Sequence, residues 1–120
     1  MILADTSIWI DHLRQADATL AERLGRQQIL AHPFVIGELA LGSLKARTQV
    51  IGELKRLPQA VVARDDEVLA FIEARSLAGQ GIGYIDAHLL SSVLITHGTQ
   101  LWTRDKRLNE IARSLSLAAS

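Results

Sequence analysis

Four carboxylates sit in places where a folded chain has little ordinary use for them: Asp5, Glu38, Asp86 and Asp105. Asp5 stops the opening apolar run "ILA", and Asp105 lies just beyond "QLWT". Read as helical, Glu38 has Phe34, Val35, Leu41 and Gly42 as its i±3 and i±4 neighbours, and Asp86 has Ile82, Gly83, Leu89 and Leu90. Neither has a Lys or Arg at those spacings. An ionised carboxylate on an apolar face is costly unless something compensates its charge or it takes up a proton.

Three explanations compete. A distant Arg or Lys could neutralise each acid, or the helices could be less buried than they look. Alternatively the four acids converge and a divalent cation supplies the positive charge. Asp5 and Asp105 each also have a plainer reading as helix N-caps, since Asp accepts hydrogen bonds from free N–H groups at a helix start. One shared site accounts for all four acids at once. A set of hard oxygen ligands, with no cysteine and no histidine at ligand spacing, suits Mg²⁺ or Mn²⁺ rather than zinc.

These residues must be positioned by a scaffold, and the chain supplies an alternating one. Short apolar runs at 2–4, 28–31, 60–63, 100–103 and 116–118 read as strands. Between them lie helical patterns over about 7–14, 17–25, 32–44, 46–57, 65–78, 84–98 and 105–115. Pro33 suits a first helical position, and Gly79 and Gly81 are expected to end the fifth helix. Alternation of this kind predicts an α/β fold with a short, mostly parallel central sheet of about four to five strands, flanked by helices on both faces. Ligands of such sheets sit beyond the C-terminal strand ends, where Asp5 and Asp105 fall.

At 120 residues and 48% hydrophobic content, the expectation is one domain over 1–120. Cysteine is absent, which excludes disulfides and thiolate metal sites. The opening apolar run is too short for a secretory signal and no stretch approaches a membrane span, so a cytoplasmic domain is expected. Thirteen basic and 13 acidic residues cancel. Four acids neutralised by a metal would leave an excess of four positive charges, weakly favouring a polyanionic partner. Arg104, Lys106 and Arg107 flank Asp105, where they could grip phosphates or form ordinary ion pairs. His12, His32, His88 and His97 share no ligand spacing and read as surface or core residues.

"DTS" at 5–7, "GELALG" at 37–42, "YIDAHLL" at 84–90 and "TRD" at 103–105 resemble the four acidic motifs of the PIN domain, and more closely those of the VapC toxins of bacterial toxin–antitoxin pairs. The resemblance runs from Met1 to about Leu115. It implies an Mg²⁺-dependent endoribonuclease whose metal site is Asp5, Glu38, Asp86 and Asp105, with Asp5 and Asp86 as direct ligands. Thr6, Ser7 and Thr103 would orient ligands or water, and Arg104 and Lys106 are candidate phosphate contacts. It also implies hydrolysis of RNA by a metal-activated water, a VapB-type antitoxin covering the acidic cleft, and a homodimer. Among rivals, a receiver domain would want paired acids after the first strand, where Asp5 stands alone. A metal-dependent adhesion module would want D-x-S-x-S, and Trp9 occupies its last position.

Overall fold

The computed structural model describes residues 1–120. Strand β1 (Ile2–Ala4) lies at the centre of a parallel sheet between β2 (Ile29–Leu30) and β3 (Gln100–Trp102). Leu3 pairs in register with Leu30 on one side and Leu101 on the other, and all three are buried. Short strands of continuous apolar residues are what a sheet covered on its faces requires. Seven helices surround it: α1 (Thr6–Arg14), α2 (Ala18–Gly25), α3 (Pro33–Ala40), α4 (Arg47–Arg56), α5 (Asp65–Ala74), α6 (Tyr84–Ile95) and α7 (Lys106–Ser114). Helix α6 is the most buried of them, with every side chain from Ala87 to Val93 inside. No helix is long and apolar enough to cross a membrane.

The sheet has three strands where four to five were expected. The runs at 60–63 and 116–118 are reduced to the edges of single parallel bridges, Ala31 with Gln59 and Leu101 with Ala118. Hydrogen bonding explains the first loss. Ala31 bonds the Pro58 carbonyl and the Ala60 N–H, but the next donor on that side would be residue 33, a proline with no N–H that opens α3, and the ladder ends there. Pro58 has no N–H with which to extend it the other way. In the second run, Ser116 sits at φ 60° to close α7, which leaves only the residues after it to pair. Leu117 O and Ala119 N both bond Leu101.

Helix α5 ends at Ala74, before the glycines expected to stop it. Ser76 takes the left-handed conformation at φ 53°, and the Leu77 N–H bonds back to Ile72 O at 3.0 Å. That is a Schellman end with serine in the usual glycine position. Gln27 and Ser116 close α2 and α7 in the same way.

All three strands run in one direction, so their C-terminal ends share one rim. Asp5, His32 and Thr103 stand on it, and the Asp5 N–H bonds Trp102 O at 3.0 Å, which binds the first and last of these together.

Candidate metal centre

Asp5 is buried and is the N-cap of α1. Its Oδ1 accepts from Ser7 N (3.0 Å), Ile8 N (3.3 Å) and the Ser7 hydroxyl (2.5 Å). Its Oδ2 accepts from the Thr103 hydroxyl, which in turn accepts the Asp105 N–H at 3.0 Å. The capping and site readings of Asp5 are therefore compatible: the helix start supplies the donors that hold a carboxylate at the strand end.

Asp105 repeats this design as the N-cap of α7, its Oδ1 accepting from Leu108 N at 2.9 Å. Asp86 stands in the first turn of α6, and its Oδ2 accepts the Gly83 N–H at 3.1 Å. Three of the four acids thus sit at helix N-termini, whose unpaired N–H groups and dipoles favour negative charge. Glu38 reaches the site from α3, where the Thr6 hydroxyl donates to its Oε1 at 2.6 Å. It is exposed, contrary to the buried apolar face expected for it. The physical reason is the early end of α3: Leu41, one turn along, is 91% exposed instead of packed over it.

The charges converge. Burial is the largest cause that pushes the Asp86 carboxyl up, the Gly83 bond opposes it, and Asp105, Asp5 and Glu38 each push it further. None of the four acids forms an ion pair with Lys or Arg. Glu38 Oε2, Asp86 Oδ1 and Asp105 Oδ2 have no hydrogen-bond partner. No group of three or more His, Cys, Asp or Glu side chains is arranged as it stands to hold a metal ion. The three free oxygens are nonetheless hard donors, the chemistry of a cation such as Mg²⁺ that keeps part of its water shell.

Thr6, Ser7 and Thr103 all touch acids of the site, as described above. Arg104 is committed elsewhere: its guanidinium bonds Asp11 at 3.2 Å and Asp17 at 2.7 Å, and its N–H donates to Ser7 Oγ at 2.9 Å. Lys106 makes no ion pair and is exposed.

His12, His32 and His88 make structural contacts and His97 is exposed; one of these roles was missed by sequence reasoning. His32 caps α3, its Nδ1 accepting the Phe34 N–H at 3.0 Å while Nε2 meets the Ser92 hydroxyl at 3.0 Å. Burial, with a further push from His88, lowers its pKa to about 4. Pro33 at the next position was the available signal, since proline at a first helical position marks the residue before it as the cap.

A sheet rim carrying acids from four separate segments agrees with the comparisons. The family model of the PIN domain matches residues 2–114, and the chain belongs to that family, within its VapC type. Two relatives, both named Ribonuclease VapC32, come from Mycobacterium tuberculosis strains CDC 1551 / Oshkosh and ATCC 25618 / H37Rv. Each is 55% identical over 108 residues, covering 90% of this chain and 87% of its own.

Proposed function

We propose that this chain is an Mg²⁺-dependent endoribonuclease, the toxin of a VapBC-type toxin–antitoxin module. The observation that carries the reading is the convergence of four carboxylates on one rim with no cationic side chain among them. The name of the M. tuberculosis relatives supports RNA as the substrate. In this reading Asp5 and Asp86 hold the ion directly, and Glu38 and Asp105 hold it directly or through water. Mn²⁺ would substitute for Mg²⁺.

A divalent ion held by these carboxylates would supply charge screening for the phosphodiester and a more acidic water, chemistry that fits hydrolysis to a 5′-phosphate and a 3′-hydroxyl. The chain's own residues do the positioning. Thr103 and Ser7 fix both oxygens of Asp5, and Thr6 fixes Glu38. Lys106, free of ion pairs, is the better placed of the two candidate phosphate contacts, and Arg104 braces the α1 side of the rim.

Beside Glu38 opens a cleft of about 590 Å³ with Ile10, Leu13 and Leu44 on its walls and Arg14 and Lys45 at its edge. An antitoxin tail covering the acids would lie in it. Exposed Val61, Val62, Leu69, Leu94 and Ile95 on the α5–α6 side offer apolar area for a homodimer. A cytoplasmic location fits a toxin of this kind.

The test is incubation of purified protein with end-labelled RNA, with and without Mg²⁺. Cleavage is expected with Mg²⁺ or Mn²⁺, is abolished by EDTA, and is absent from Asp86→Asn. Undiminished cleavage in EDTA would contradict the proposal.

A further inference from the structure

Glu38 and Asp86 must keep a set separation if they are to share an ion, yet their helices take their packing from different partners. Helix α3 packs on α1 and α4, whereas α6 packs on α5 and β3. A line of four rings runs from the start of α3 to α6. His32 and Phe34 meet edge to face at 5.2 Å between centroids, Phe34 and His88 at 4.6 Å, and His88 and Tyr84 at 4.8 Å. These separations and their steep interplanar angles lie in the favourable range for aromatic pairs.

Both ends of the line are tied. At the α3 end, the His32 Nδ1 accepts a backbone N–H, so its proton sits on Nε2 and is donated to Ser92 of α6 at 3.0 Å. At the α6 end, Asp65 Oδ1, from the first residue of α5, accepts from both the Tyr84 hydroxyl and His88 Nε2, each at 3.0 Å. Tyr84 and His88 stand two residues before and two after Asp86. Phe34 stands one helical turn before Glu38. His88 is buried with its Nδ1 unpaired, a cost a folded protein seldom bears at a position free to be apolar.

We propose that the ladder Tyr84–His88–Phe34–His32, clamped by Asp65 and Ser92, is a strut that sets the separation of Asp86 and Glu38. Phe34, His88 and Asp65 are then positioning residues for the ion. The proposal rests on the metal-site reading above, and it assigns these residues no contact with RNA.

The experiment compares the full chain with Phe34→Leu, Asp65→Ala, Asp65→Asn and Val93→Ala. Mn²⁺ affinity is read by electron paramagnetic resonance of the free ion, and the Mg²⁺ dependence of cleavage is read alongside. Partners that orient metal ligands are typically worth about 10–100-fold in metal affinity, so Phe34→Leu and Asp65→Ala are expected to weaken Mn²⁺ binding by about tenfold. Saturating metal is expected to restore their cleavage rate, with KM for RNA unchanged. Asp65→Asn retains an oxygen that can accept both bonds and is expected to bind Mn²⁺ nearly as tightly as the parent. Val93→Ala, buried in α6 but outside the ladder, is expected to lower Tm without moving the Mn²⁺ titration. Wild-type Mn²⁺ affinity in both ladder variants overturns the strut, as does a loss in Val93→Ala equal to theirs. Failure of the parent protein to bind Mn²⁺ at all overturns the metal site itself, and the strut with it.

Discussion

Asp5 has two jobs in this account, and substitutions can separate them. As an N-cap it serves the Ser7 and Ile8 N–H groups, and as a buried acceptor it serves the Ser7 and Thr103 hydroxyls. Asparagine caps helices about as well as aspartate but has one acceptor oxygen instead of two. Asp5→Asn therefore keeps the cap and weakens the charge-assisted bonds, at a cost of about 1–2 kcal/mol. Asp5→Ala loses the cap, worth about 1 kcal/mol, and strands two hydroxyls, for a total of about 3 kcal/mol. Urea unfolding followed by tryptophan fluorescence reads both values, and gel assays of labelled RNA read cleavage. The expected pattern is a folded Asp5→Asn with background cleavage and a markedly less stable Asp5→Ala. Asp5→Asn that cleaves at the parental rate would refute the site. Equal stability of Asn and Ala variants would refute the capping account.

Four further outcomes follow from the electrostatics. The pKa of His32, about 4 when folded, lies below its ordinary 6.5, so between those values the unfolded chain takes up a proton that the folded chain refuses. Its contribution is intact above pH 6.5 and falls as pH drops, by up to about 1.4 kcal/mol per pH unit and about 3 kcal/mol in all. His32→Asn, which keeps an N-cap residue, should flatten the stability–pH curve in that window, as read by urea melts. Asp86 shifts the other way: held above its ordinary value, its ionised form opposes folding. Asp86→Asn should therefore melt higher than the parent at pH 7 in EDTA, lose that advantage as acid protonates the parent Asp86, and show no rise in Tm with Mn²⁺. Arg104→Gln removes pairs to Asp11 and Asp17 from a half-exposed guanidinium and should cost about 0.5–1 kcal/mol, less at high salt, with little change in KM for RNA. Lys106→Gln should raise KM instead.

Helices were the most legible part of the chain, because their caps and periods are local signals. All seven occur within the stretches the pattern marked, although α3 and α5 end about a turn early, and Asp5, Asp17 and Asp105 each start one. Strands were less legible at the edges. "AVVA" has the composition of a strand, but its partner Ala31 runs straight into Pro33, which opens α3 and has no N–H for the next rung, and nothing within 60–63 announces that. Glu38 was recognised as unusual for a reason that does not hold. Its apolar neighbours in sequence are not packed over it in space, and its place at the rim comes from Thr6, 32 residues away. The ring ladder lay out of reach for the same reason: Phe34, His88 and Asp65 are unremarkable singly and meet only through the packing of three helices.

The central claim is that four separated carboxylates share one hydrated divalent ion. Anomalous diffraction from a crystal of this protein soaked in Mn²⁺ tests it directly. One principal peak, or two close together, is expected between Asp5 and Asp86, with Glu38 and Asp105 facing it directly or through water. A peak remote from these side chains, or a lysine or arginine lying among them with no ion, would contradict it.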